Sequence, residues 1–347
     1  MKSFVQTLCR REALGLLKMS EKEFSRIRGI GSYVPPRIVD NEELSQKVDT
    51  SDEWITSRTG IKERRIAASD QSTSDLAVEA SRIAISEAGL SPSDIDLVVV
   101  ATITPDMSFP STACLLQHKL GIPKVACFDL EAACSGFLYA LDVADGMLSS
   151  GRYECALVVG AEKLSSIMDW GDRSTCVLFG DGAGAAVLSK RGEGPQLLGF
   201  QCGADGSNPS LLHQPAGGSS LPASTDTIRD KGHFLKMNGR EIFKSAVRVM
   251  ERASLDLLAK HKLDVADVDH VIPHQANARI VESLSQRLEI PLEKFYCNLH
   301  KYGNTSAASI PLALDEAFKS SQFNKGDLGL LVAFGAGLTW SAALVRF

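Results

Sequence analysis

The chain has 347 residues, 44% hydrophobic and 23% charged, with a formal net charge of -5. That length suits two domains or one large one with a sizeable core, and the acidic balance excludes the basic footprint of a nucleic-acid-binding protein, although a local basic patch could still meet a small acidic partner. No uninterrupted apolar run is long enough to span a bilayer, so a soluble protein without membrane partners is expected.

In chain order, Met1 to Ser20 carry Lys2, Arg10, Arg11 and Lys18, and Arg10-Arg11-Glu12 interrupts any signal-peptide core. This basic, weakly amphipathic stretch fits a transit peptide, a start upstream of the real one at Met19, or a poorly ordered extension covering 1–26. Domain sequence begins near Ile27, with an N-terminal half over 27–195 and a C-terminal half over 196–347. Residues 97–103 read as a buried strand, 111–120 as a helix and 125–130 as a second strand. Residues 135–150 have helical spacing and stop at Gly151, followed by strands at 155–160 and 184–188. This alternation implies an α/β fold with a mainly parallel sheet covered by helices. Residues 192–232, rich in Gly, Pro, Ser and Asp, read as long surface loops with one hairpin. A long amphipathic helix is expected over 237–260.

The second half echoes the first. Asp94-Ile95-Asp96-Leu97-Val98-Val99 answers Asp267-Val268-Asp269-His270-Val271-Ile272, and residues 116–123 answer 284–291. Ala140-Leu141-Asp142 answers Ala313-Leu314-Asp315, and Gly160-Ala161-Glu162 answers Gly335-Ala336-Gly337. Four matches in one order imply two pseudo-equivalent α/β halves rather than a solenoid.

The eight cysteines include no C-x-x-C pair, which leaves zinc and thioredoxin-like chemistry unsupported. Several read as small buried hydrophobes in a reducing compartment, so a cytoplasmic location is expected. Cys134 differs: in Ala132-Ala133-Cys134-Ser135-Gly136-Phe137 it stands between a strand and a helix. Free N–H groups and the helix dipole there would lower the thiol pKa and could hold an oxyanion, although a buried cysteine fits the motif equally well. His274, in Pro273-His274-Gln275-Ala276-Asn277, and Asn304, in Gly303-Asn304-Thr305-Ser306, also precede helices. Each alone reads as a cap or a satisfied ring; together they fall at sheet-end junctions, where ligands of parallel sheets collect.

The ordered set A-A-C-S-G-F, P-H-Q-A-N and G-N-T-S-A-A-S resembles the thiolase-fold condensing enzymes, specifically β-ketoacyl-acyl-carrier-protein synthase III. The similarity runs from about Ile27 to Phe347 and includes D-T-S-D-E-W-I at 49–55, R-T-G-I at 58–61 and F-G-D-G-A-G-A at 179–185. The resemblance implies duplicated halves in five αβαβα layers and a homodimer. It implies that Cys134 takes an acyl group from acetyl-CoA or another short acyl-CoA. The acyl-enzyme then condenses with malonyl-acyl carrier protein (ACP), without a cofactor or metal. His274 and Asn304 would stabilise the enolate, and the N–H groups of Cys134 and Ala336 the oxyanion. Thr50, Trp54, Arg58, Arg173 and Asn277 correspond to CoA-binding positions, and Lys244 and Arg279 to carrier-docking positions. Phe109 corresponds to the residue that closes the acyl pocket across the dimer, while as a sequence feature it fits core packing nearly as well. Two departures, Ala336 in place of a third consecutive glycine and a long 214–221 segment, bear on the primer rather than the reaction class.

The alternative is a relative serving a polyketide, quinolone or ketone pathway with another acyl-CoA or extender. A thiolase needs a second cysteine near the C-terminal glycine-rich segment, and 332–338 contains none. A non-catalytic scaffold is expected to lack the nucleophile, which is present here.

Overall fold

The structure, a computed structural model, describes residues 24–347, so the expectations for Met1 to Ser20 lie outside the described residues. Nine strands among these residues form one sheet: β1 (Arg26–Tyr33), β2 (Leu97–Ala101), β3 (Ala126–Leu130), β4 (Cys155–Glu162), β5 (Gly182–Ser189), β6 (Gln196–Ala204), β7 (His270–Pro273), β8 (Leu328–Gly335) and β9 (Thr339–Arg346). Their order is β7-β8-β9-β6-β1-β5-β4-β2-β3. A single residue pair, Arg26 with Gln196, joins β1 to β6. On one side the strands run first, fifth, fourth, second, third in chain order. On the other, β6, β9, β8 and β7 repeat that order, and the parallel bridge of Val271 with Phe295 takes the place of β3.

Period-two alternation sends each central strand's side chains to two different layers. Leu97, Val99 and Ala101 of β2 face a central core, while Val98 and Val100 face an outer one. Ile272, Leu331 and Ala333 likewise face the central core, and Val271, Leu330 and Val332 a second outer one. Six helices fill these layers: α1 (Thr73–Glu87), α2 (Thr112–Leu120), α3 (Gly136–Ser149), α4 (Gly239–Lys260), α5 (Ala278–Leu288) and α6 (Ser309–Lys319). Helices α3 and α6 bury Leu138, Leu141, Ile310 and Leu314 between the sheet faces. The pairs α1 with α2, and α4 with α5, cover the outside, giving five αβαβα layers. The first residues of counterpart strands are held alike. Asp96 accepts hydrogen bonds from the N–H groups of Glu154 and Cys155 at 2.7 and 3.0 Å. Asp269 accepts one from Leu328 N–H at 2.8 Å.

Two sequence expectations change. Only β2–β3, β2–β4 and β7–β8 pair in parallel, and the other five neighbouring pairs are antiparallel. Parallel return requires a sheet-covering helix in the connection, which the joins from β4 to β5, β5 to β6 and β8 to β9 lack. The segment 192–232 is also not all loop, because it contains β6. Gly203, which reads as a loop residue, lies in that strand because a Cβ there would come within 2.5 Å of the Trp340 ring.

Candidate active site

Between β3 and α3, Ala133–Ser135 form a 3-10 turn carrying Cys134, and Ala133 sits at φ 46. That left-handed backbone, uncommon for a non-glycine residue, puts a sharp corner before the nucleophile. Gly335 ends β8 against the same turn, where a Cβ would fall 2.7 Å from the Cys134 nitrogen. Thr339 Oγ1 lies 2.8 Å from the Ala132 carbonyl oxygen and ties the two segments together. Ala336, half-buried, follows directly in the β8–β9 turn.

The expected lowering of the Cys134 pKa is overturned. Burial pushes the thiol up to about 12, with Glu162 adding to the rise and a hydrogen bond from Ser306 opposing it. Desolvation outweighs the helix N-terminus because the sulfur lies inside the protein rather than at its surface. The resting nucleophile at neutral pH is therefore a thiol.

His274 follows β7 and is buried, which lowers its pKa to about 3 and keeps the imidazole neutral. Its Nδ1 lies 2.6 Å from Ser309 Oγ, the first residue of α6. Gln275 N–H donates to that oxygen at 3.5 Å, which leaves the hydroxyl hydrogen to donate to Nδ1 and places the imidazole proton on Nε2. Asn304 is also buried, and its Oδ1 accepts from Ser306 N–H at 2.8 Å. An N–H requires an acceptor, so this contact fixes the amide orientation and leaves the NH2 as the available donor.

Cys134, His274 and Asn304 line one cavity of about 120 Å³, roofed by Phe243, Ala246 and Met250 of α4. One water needs about 10–15 Å³ by the same measure, so several atoms of a ligand fit. Asn277, also in the lining, caps α5 through Arg279 N–H and donates from Nδ2 to the Arg58 carbonyl at 3.1 Å. It thus joins the cavity to a cluster outside, where the Arg58 and Arg173 guanidinium groups lie 4.8 and 5.2 Å from the Trp54 ring centre. Thr50, nearby in sequence, has a buried hydroxyl without a hydrogen-bond partner. Lys244 is exposed and paired with Glu241 at 3.0 Å; Arg279 is exposed. Phe109 is 84% exposed, which removes the core-packing reading, and it does not line this chain's own cavity.

Three site residues were not singled out from the sequence: Ser306 beside the thiol, Ser309 behind His274, and Glu162 behind Ser306. Both serines stand in the quoted G-N-T-S-A-A-S string. Glu162 closes the otherwise apolar strand Cys155–Glu162, and a carboxyl there is the available signal.

Comparison with known proteins gives one consistent result. The family described as 3-oxoacyl-[acyl-carrier-protein] synthase III matches residues 128–206, and its C-terminal family matches 258–347. The chain is 52% identical to the β-ketoacyl-[acyl-carrier-protein] synthase III of Caldanaerobacter subterraneus subsp. tengcongensis, over 95% of this chain and 99% of the relative. It is 51% identical to that of Xanthomonas campestris pv. campestris, over 95% and 100%. The crystal structure of 3-oxoacyl-[acyl-carrier-protein] synthase III from Aquifex aeolicus superposes with a TM-score of 0.86 at 49% identity, covering 93% of this chain and all of that one.

Proposed function

This chain belongs to the β-ketoacyl-[acyl-carrier-protein] synthase III family, the acyltransferases that initiate fatty acid synthesis, and on that basis we propose the following division of labour. Acetyl-CoA or another short acyl-CoA transfers its acyl group to Cys134, releasing CoA. Malonyl-ACP then loses CO2, and its enolate attacks the acyl-cysteine to give 3-oxoacyl-ACP. His274 Nε2–H and the Asn304 NH2 hold the developing enolate oxygen, an electron sink that calls for neither metal nor cofactor. The N–H groups of Cys134 and Ala336 hold the oxyanion of acyl transfer. The supporting observation is the single cavity that brings the thiol from one half of the fold to the two neutral donors of the other.

The Asn277 side chain marks the passage to the nucleotide site, where Trp54 and Arg173 take the adenine and Arg58 and Thr50 flank it. An inserted flat ring needs about 3.5–4.0 Å on each face, so Arg173 must swing off Trp54 and leave Asp49, which it contacts at 3.3 Å. Both partners of that ion pair are solvent-exposed, so its loss costs little. Trp54→Ala should raise the KM for acyl-CoA about tenfold, given about 1–3 kcal/mol per stacked base, and far more than that for malonyl-ACP. Equal KM changes for both substrates would remove Trp54 from the nucleotide site.

Arg279 and Lys244 flank the mouth as the docking patch for the acidic carrier. The exposed Phe109, with half-exposed Met107 beside it, fits a homodimer contact that closes the partner's acyl pocket. The site of action is the cytoplasm; no helix of the described residues is long and apolar enough to cross a membrane.

Intact-protein mass spectrometry with a panel of acyl-CoAs, followed by malonyl-ACP, tests the reading. An adduct at Cys134 that clears as 3-oxoacyl-ACP forms is the expected result and identifies the primer. The priming β-ketosynthase of the R1128 polyketide pathway, 38% identical with a TM-score of 0.86, keeps a second reading in view. An adduct that clears only with another extender would favour it.

A further inference from the structure

Behind the nucleophile lies a carboxyl group that this condensation does not use. Glu162, at the end of β4, is fully buried. Thr104 Oγ1 and Thr102 Oγ1 donate to its Oε2 at 2.6 and 3.2 Å, and Ile103 N–H at 3.2 Å. Ser306 Oγ donates to Oε1 at 3.1 Å, and Ser306 in turn hydrogen-bonds the Cys134 sulfur. Ser306 is fixed in place by its own backbone, at φ 49 with its N–H on Asn304 Oδ1. A continuous carboxyl–hydroxyl–thiol chain therefore crosses from one half of the fold to the other and ends on the reacting atom. Cys134 is the titratable group that faces Glu162 along it; the neighbouring Lys163 ammonium is turned to the Ala68 carbonyl at 3.0 Å.

His274 cannot readily serve as the thiol's base, since its Nδ1 is taken by Ser309 and its pKa is about 3. We propose that Glu162, acting through Ser306, receives the thiol proton of Cys134 during acylation. As Sγ bonds to the acyl carbon, its proton moves to Ser306 Oγ, and the Ser306 proton moves to Glu162 Oε1. CoA leaves as a thiolate and takes a proton from water, and Glu162 later returns its own proton to water. Charges and protons balance: a carboxylate and a thiol become a carboxylic acid and a thioester, and the thiolate formed is CoA. Glu162 is a positioning residue here, while Ser306 touches the reacting sulfur. Burial pushes the Glu162 pKa from 4.5 up to about 7, so the acceptor changes charge within the working pH range.

The inference rests on the acyl-transfer reading above. Single-turnover acylation by acetyl-CoA, followed by intact mass across pH, should rise through about pH 7 as Glu162 ionises. Glu162→Gln should lower that rate about 100-fold and abolish the rise. Ser306→Ala should do the same, and the double variant should lose little more, because both changes break one chain. The melting temperature gives a readout independent of substrate. The folded state holds a proton on Glu162 that the unfolded chain releases above pH 4.5, so this group's contribution to stability is lost as pH rises through about 7. Glu162→Gln should flatten that decline. Wild-type acylation rates and pH profile in either folded variant would overturn the relay. Failure of the wild type to acylate with any acyl-CoA would instead overturn the acyl-transfer reading and the relay with it.

Discussion

Cys134→Ser should give no acyl-enzyme with any acyl-CoA and lower condensation by at least about 10⁴-fold, in line with losses on removing a nucleophile. The substitution changes one atom in a turn whose shape is set by backbone, with Ala133 at φ 46 and Gly335 against the Cys134 nitrogen. The fold should therefore survive. The chemistry should not, because this environment raises even a thiol to about 12, and a serine hydroxyl is intrinsically a far weaker acid. No Ser–His pair is available to compensate, since the His274 Nδ1 is occupied by Ser309. Malonyl-ACP should still be decarboxylated slowly, because the two enolate donors are untouched. Mass spectrometry and CO2 release on the same sample check both halves; an undiminished acyl adduct would take the nucleophile's role from Cys134.

Much of this site was legible because its parts sit where chain direction changes. Cys134, His274 and Asn304 each follow a strand or precede a helix, and small or turn-forming neighbours give such junctions a recognisable composition. The duplication was legible for the same reason, since Asp96 and Asp269 perform one local task at counterpart strands. Other features depend on what comes near in space. Gly203 looks like a loop residue until Trp340 is laid over it. The thiol's raised pKa follows from burial, which a helix-start motif does not encode. Ser306 and Glu162 are 144 positions apart, and the meeting of the two halves makes them one chain. Phe109 reads as core until the fold leaves it outside.

His274→Ala and Asn304→Ala should reverse the pattern of Cys134→Ser, with acylation persisting and decarboxylation failing. Each donor removed from a developing oxyanion costs about 10²–10³ in rate, and both donors here are fixed before substrate arrives. Ser309 holds the His274 ring at 2.6 Å, and Ser306 N–H holds the Asn304 amide at 2.8 Å. With its pKa lowered to about 3, His274 stays a neutral donor, so CO2 release should not follow imidazole titration between about pH 5 and pH 8. The same shift bears on stability: between its ordinary 6.5 and about 3 the unfolded chain binds a proton that the folded state refuses. Stability from this group therefore grows with rising pH across that window and is lost on acidification, and His274→Ala should remove that component. CO2 release measured beside acyl-adduct mass separates the roles. If both variants decarboxylate at the wild-type rate, the enolate must be stabilised elsewhere; if they fail to acylate as well, the two donors act on the first step rather than the second.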